Sequence, residues 1–264
     1  MDTPAHQPPA AQTRSMFDGA SPKLTFVFGL IGGIALTAIA GLAIMLPRTS
    51  GSTKTPTTTT AAAAATNTTA APAAATFNDI SPITKNDYLR GDKNAKLTLV
   101  SFTDLECPFC KQFHPTISKL LTDYKGQVNV VFRFYPLSFH ANAPKEAEAA
   151  LCVGKFGGQD TFWSFVDKIF ERTTSNGTGF ALTALGPLAK EVGVDQTKFQ
   201  TCLDSGEMAA RVAAETADGN KGGVTGTPST LIVNPKTGKT LGGIPGAYPL
   251  DQAKTFIDKA LTQV

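Results

Sequence analysis

"SFTDLECPFCKQFHP" occupies residues 101–115 and holds two of the chain's four cysteines, Cys107 and Cys110, at C-x-x-C spacing. Half of a zinc site, a structural disulfide and a redox pair all use that spacing, and the flanks weigh between them. Upstream, Leu97, Leu99 and Ser101 alternate with Thr98, Val100 and Phe102, the two-residue period of a strand. Downstream, Phe113, Ile117, Leu120, Leu121 and Tyr124 recur at helical spacing. Pro108 suits a first helical turn, where its missing N–H costs nothing, and Pro115 is expected to kink the helix. The motif therefore opens a helix directly after a strand, the context that favours a redox pair. Unpaired N–H groups and the positive dipole end at the helix start stabilise a thiolate on Cys107. Cys110, three residues on and one turn deeper, can attack that sulfur. A structural zinc site needs four ligands, usually as two close pairs. Cys152 and Cys202 stand alone, 50 residues apart, so no metal is expected.

The next strand signal is "QVNVVFRFYPL". Residues 143–223 then read as a block of helices separated by Gly- and Asn-bearing breaks, with Asp160 and Asp195 as N-caps. Strand character returns in "GVTGTPSTLIV", residues 223–233. Proline entering a strand cannot donate to its ladder. A cis Thr227–Pro228 bond accommodates it and leaves the adjacent backbone free to pair with a bound peptide. A turn at 234–239, a short strand and a helix over 249–261 complete the pattern.

The N-terminal third is different. Residues 1–23 are polar and read as a disordered cytoplasmic tail. Residues 24–46 contain no charge, and 23 residues at ~1.5 Å each span a ~30 Å hydrocarbon core. That run exceeds a signal-peptide core and lacks a small-residue cleavage site at its edge, so it reads as an uncleaved transmembrane signal-anchor. Residues 47–77, mostly Thr and Ala, read as a linker. The chain carries 24 basic and 21 acidic residues, and that balance gives no electrostatic footprint for nucleic acid.

The stretches "SFTDLECPFCKQFHP" and "GVTGTPSTLIV", with a helical block between them, resemble the DsbA-like branch of the thioredoxin superfamily in its membrane-anchored bacterial form. "FYPLSFHANA" and "AEAALCVGKFGGQDTFWSF" extend the likeness. It covers residues 78–264 and implies an α/β thioredoxin fold with a helical insertion at about 141–222. It also implies a protein thiol-disulfide oxidoreductase, with Cys107 and Cys110 as the catalytic pair, Pro108 and Phe109 as the active-site dipeptide, and Thr227 and Pro228 as the substrate-binding loop. Two positions depart from relatives. Better-studied oxidases carry His where Phe109 stands, and thioredoxin has a buried acid where Ser101 stands. These departures place the expected reduction potential at roughly −200 to −140 mV, between thioredoxin and the strong oxidase.

The reading that follows is a tethered oxidase on the extracytoplasmic, periplasmic side of the inner membrane. It acts as a monomer on exported proteins with free thiols, and a quinone-linked membrane partner recharges it. Its only redox group is the Cys107–Cys110 disulfide. In such a compartment Cys152 and Cys202 are expected to pair as a structural disulfide; reduced, they would behave as small buried hydrophobes. His114 is expected at the surface, His140 in a local cap, Asp104 as a candidate proton relay, and Glu106 as a carboxylate facing solvent or opposing the thiolate. A reductase or isomerase using the same cysteines, and a non-enzymatic stalked holdase, are the rivals.

Overall fold

The computed structural model describes residues 76–264. The tail, the anchor at 24–46 and the linker up to residue 75 lie outside the described residues. No helix among the described residues is long and apolar enough to cross a membrane.

Five strands form one sheet: β1 (Tyr88–Gly91), β2 (Leu97–Thr103), β3 (Val128–Phe134), β4 (Ser229–Val233) and β5 (Thr240–Ile244). Their order is β1-β3-β2-β4-β5, with β2 and β3 parallel and every other neighbouring pair antiparallel. Helix α1 (Pro108–Asp123) makes the crossover from β2 to β3. The insertion between β3 and β4 holds α2 (Ala143–Arg172), α3 (Leu185–Glu191), α4 (Gln196–Ser205) and α5 (Ala209–Lys221), and α6 (Leu250–Leu261) closes the chain.

The alternation of β2 is real, and both of its faces are buried. Leu97 and Leu99 join the larger core with α1 and α6, whose Phe113, Ile117, Leu120 and Ile257 are buried there. Val100 and Phe102 face a smaller core with Val131, Leu231 and Ile80. Phe77 packs against that second core, so the linker expected to end at residue 77 is already folded there. Burying a side chain of this size contributes ~1.5–3 kcal/mol, enough to fix the register of this central strand.

Several local expectations hold. Asp195 caps α4 by accepting from Lys198 N at 2.8 Å. One of the Gly-bearing breaks expected in the helical block falls at Gly158, whose φ of 79° interrupts the helical backbone inside α2. Asp160 lies inside the span of α2 rather than ahead of a separate helix. Helix α1 continues through Pro115 to Asp123. Strand β1 carried too short a signal to be read, four residues including Arg90 and Gly91. It pairs with β3 at the sheet edge, where the Gln159 side chain bonds Leu89 N and Asp87 O.

Candidate active site

The end of β2 delivers Cys107 to the N-cap of α1, with Pro108 in the first turn and no acidic residue there. Across from it, the Thr227–Pro228 peptide is cis, and Cys107 Sγ donates to the Thr227 carbonyl at 3.4 Å. The fold thus brings together all six residues read from the motifs at one end of the sheet. Both cysteines are free thiols, each 2% exposed, while Phe109 between them is 59% exposed.

The two sulfurs are electrostatically opposite. A hydrogen bond from Cys110 lowers the Cys107 pKa, and although burial works against this, support from Thr227 and from the Cys110 and Phe109 backbone N–H groups brings it to about 6. Burial pushes the Cys110 thiol well above its ordinary value, and the hydrogen bond and charge of Cys107 push the same way. The Thr227 hydroxyl is buried and has no hydrogen-bond partner, and the Thr227 side chain lowers the pKa of both thiols. A thiolate nucleophile with a protonated thiol behind it is the arrangement disulfide exchange requires.

Beneath Cys110 a small cavity of about 10 Å³ is lined by Ser101, Thr103, His114, Trp163 and Pro228. His114 is not at the surface. Its side chain is 15% exposed and its Nε2 lies 2.7 Å from Asp167. His140 and Asp104 are buried together, with Nδ1 to Oδ2 at 2.8 Å. Asp104 also accepts from Glu106 N and Leu137 N, so it organises the turn into Cys107 as well as binding His140. Burial raises the Asp104 pKa despite these bonds.

Glu106 corrects the expectation most. It is 0% exposed and accepts from Gly179 N, Phe180 N and Thr173 Oγ1 at 2.7, 2.8 and 3.1 Å. Burial would raise its pKa, but these bonds and one from Glu146 outweigh that and lower it. Its carboxylate therefore faces the insertion rather than solvent. Glu146 escaped the sequence reading. Its signal was an acid on the same helical face as Ala143, Ala147 and Ala150, all buried.

Cys152 in α2 and Cys202 in α4 form a disulfide. A wider surface pocket of about 670 Å³ lies elsewhere, between Asp87, Arg133, Gln159 and Arg211, and contains none of the cysteines.

The family model described as thioredoxin matches residues 83–243, and the chain belongs to that family. Na(+)/H(+) antiporter NhaA 1 of Salinispora arenicola is 33% identical over 149 residues, 56% of this chain and 22% of the antiporter. The chain thus spans about a fifth of that relative's length. Disulfide bond formation protein D of Bacillus subtilis is 28% identical over 183 residues, 68% of this chain and 79% of that protein. The crystal structure of Pseudomonas aeruginosa DsbA2 superposes with a TM-score of 0.58 at 28% identity, covering 67% of this chain and 96% of that one. The family match, the Bacillus protein and the DsbA2 structure point to a DsbA-like protein thiol-disulfide oxidoreductase.

Proposed function

We propose that the chain is a tethered extracytoplasmic oxidase that introduces disulfides into exported proteins. The observation that supports it best is the opposite displacement of the two thiols, Cys107 down to about 6 and Cys110 up. A substrate thiolate attacks Cys107 Sγ of the oxidised pair. The Cys107–Cys110 bond breaks, and Cys110 leaves with the electron pair and takes a proton. The substrate's second thiolate then attacks the mixed disulfide and expels Cys107 as a stabilised thiolate. Two electrons have passed from substrate to enzyme, and a quinone-linked membrane partner takes them onward. A low-pKa leaving thiolate favours the reduced enzyme and makes its disulfide oxidising.

Refolding of reduced ribonuclease by the oxidised chain tests this. Catalysed disulfide formation that vanishes in Cys107→Ser is the expected result. Folding assistance that survives in Cys107→Ser would establish the holdase instead. The uncharged run at 24–46 supports the tether, and four cysteines in two pairs suit an oxidising compartment. Reporters fused after Val264 check the topology. Alkaline phosphatase should be active and green fluorescent protein dark, and the reverse pattern removes the extracytoplasmic reading.

A further inference from the structure

We propose that Glu106 and Glu146 form a one-proton latch that holds the 173–180 loop beside Cys107 as a wall against which a cysteine-containing polypeptide docks. The inference rests on the oxidoreductase reading of Cys107 and Cys110.

Glu106 immediately precedes the nucleophile, and two parts of it grip the loop. Its carboxylate accepts from Thr173, Gly179 and Phe180, and its backbone carbonyl accepts from Asn176 N at 2.8 Å. Glu146, on α2, is also 0% exposed, neither of its oxygens has a donor, and the Glu106 carboxylate is the charge that bears on it most. Two bare carboxylates cannot share a dry site, whereas a single proton between them turns repulsion into a hydrogen bond. Burial and the Glu106 carboxylate push the Glu146 pKa up to about 10, so Glu146 keeps that proton at neutral pH. The other side of the motif grips the same loop, because Lys111, directly after Cys110, donates to the Thr173 carbonyl.

The loop so held is strained. Ser175 and Asn176 are consecutive non-glycine residues with φ of 65°, in the left-handed region that L-residues disfavour. Such conformations persist where the surroundings over-determine them, and they cluster at functional sites. The latch does the over-determining here. It also sets what the loop shows to solvent: Ser175 and Gly177 are buried, while Asn176 and Thr178 are exposed. Gly177 lies against the 139–140 backbone, where a Cβ would meet His140 Cα at 3.0 Å. Phe139 on that segment is 73% exposed. Cys107 is only 2% exposed, so an incoming polypeptide sulfur reaches it over this rim. The fitting occupant is an unfolded segment with an apolar side chain for Phe139 and Phe109 and a backbone amide for Asn176. A small dithiol reaches the sulfur without leaning on the wall.

The test compares two probes on the oxidised full-length chain: reduced, unfolded ribonuclease and dithiothreitol. The readout is the ratio of kcat/KM for the protein to the rate constant for dithiothreitol. Asn176→Gly keeps a residue at ease with positive φ and removes the side chain. Glu146→Leu removes the shared proton, and Glu146→Gln keeps a neutral donor to Glu106. The ratio should fall about five- to tenfold in Asn176→Gly and Glu146→Leu, the worth of roughly one hydrogen bond, and recover in Glu146→Gln. A ratio within twofold of wild type in Asn176→Gly overturns the latch, as does Glu146→Gln behaving like Glu146→Leu. Should Glu146→Leu fail to fold, Asn176→Gly alone decides. Wild type oxidising neither probe defeats the oxidoreductase reading itself, a result distinct from an unchanged ratio.

Discussion

The chain's two cysteine pairs make a controlled comparison within one molecule. Cys152 and Cys202 are 50 residues apart and bonded across two helices. They sit inside α2 and α4, where the turns around them already bond their N–H groups to carbonyls. Cys107 and Cys110 share one helix start, where N–H groups are free to face a sulfur. Burial is nearly the same in the two pairs, 0 and 3% against 2 and 2%, so burial does not separate a stable disulfide from a reactive one. Asymmetry does. The reactive pair concentrates donors on one sulfur and desolvation on the other, so Cys107 leaves a mixed disulfide readily as a stabilised thiolate while Cys110 keeps its proton.

The largest test of that contrast is removal of each pair. Cys107→Ser should abolish exchange with any disulfide or thiol probe, and Cys110→Ser should accumulate mixed disulfides through Cys107, visible on non-reducing gels. The Cys152→Ser/Cys202→Ser chain should instead lose about 4 kcal/mol in the loop-entropy model for a 50-residue loop. For a domain of this size that is roughly a 10 °C fall in Tm, with exchange rates near wild type. If the double variant stays folded but stops exchanging, the two pairs form a relay and the comparison collapses.

The motif region and the insertion divide in the same way between local and long-range chemistry. The helix start, the cis peptide and the placement of C-x-x-C at that helix start were legible because each rests on local chemistry: strand alternation, proline geometry and dipole position. Asp195 and the Gly158 break were legible for the same reason. The coupling of Glu106 and Glu146 was not, since it joins two buried carboxyl groups 40 residues apart, and no local period encodes that. His114 was misplaced because its partner, Asp167, lies on a helix 53 residues away. Arg133 likewise finds Asp87 and Asp218 at distances the sequence does not display.

A pH series sharpens the asymmetry. The Cys107 thiol should titrate with a midpoint near 6 when followed by thiolate absorbance or alkylation rate. Its folded value lies below the ordinary thiol value of about 8.5. The thiolate therefore stabilises the reduced fold fully above about pH 8.5, and that contribution is lost as pH falls through 6. Cys110 works in the opposite sense above its ordinary value, since the folded protein keeps it protonated where the unfolded chain would ionise it. The melting temperature of the reduced form minus that of the oxidised form should accordingly rise between pH 6 and about 8.5. A flat difference over that range would mean that the fold does not stabilise a Cys107 thiolate. Thr227→Val should raise the midpoint by roughly half to one unit, the worth of one hydrogen bond.

The smallest effect belongs to Phe109. The sequence comparison with better-studied oxidases makes this position a natural control of redox poise, and a potential of roughly −200 to −140 mV followed from it. The site bears on that figure. A Cys107 value of about 6 lies closer to thioredoxin's ~7 than to the strong oxidase's ~3.5, which favours a potential toward the thioredoxin end of that range. Phe109 supports Cys107 through its backbone N–H, while its side chain, 59% exposed, points outward. Histidine there would place a partly solvated imidazole near the thiolate, its charge weakened by water and salt. Phe109→His should therefore raise the potential by no more than about 30 mV, a tenfold change in the exchange equilibrium, and the rise should be larger at pH 6 than at pH 8, where the ring is neutral. Equilibration against glutathione buffers, followed by thiol trapping, measures both. A wild-type value near −270 mV would favour the reductase reading. A shift well beyond 30 mV, or one independent of pH, would mean that the dipeptide side chain reaches the sulfur directly and that the outward orientation of Phe109 does not describe the working site.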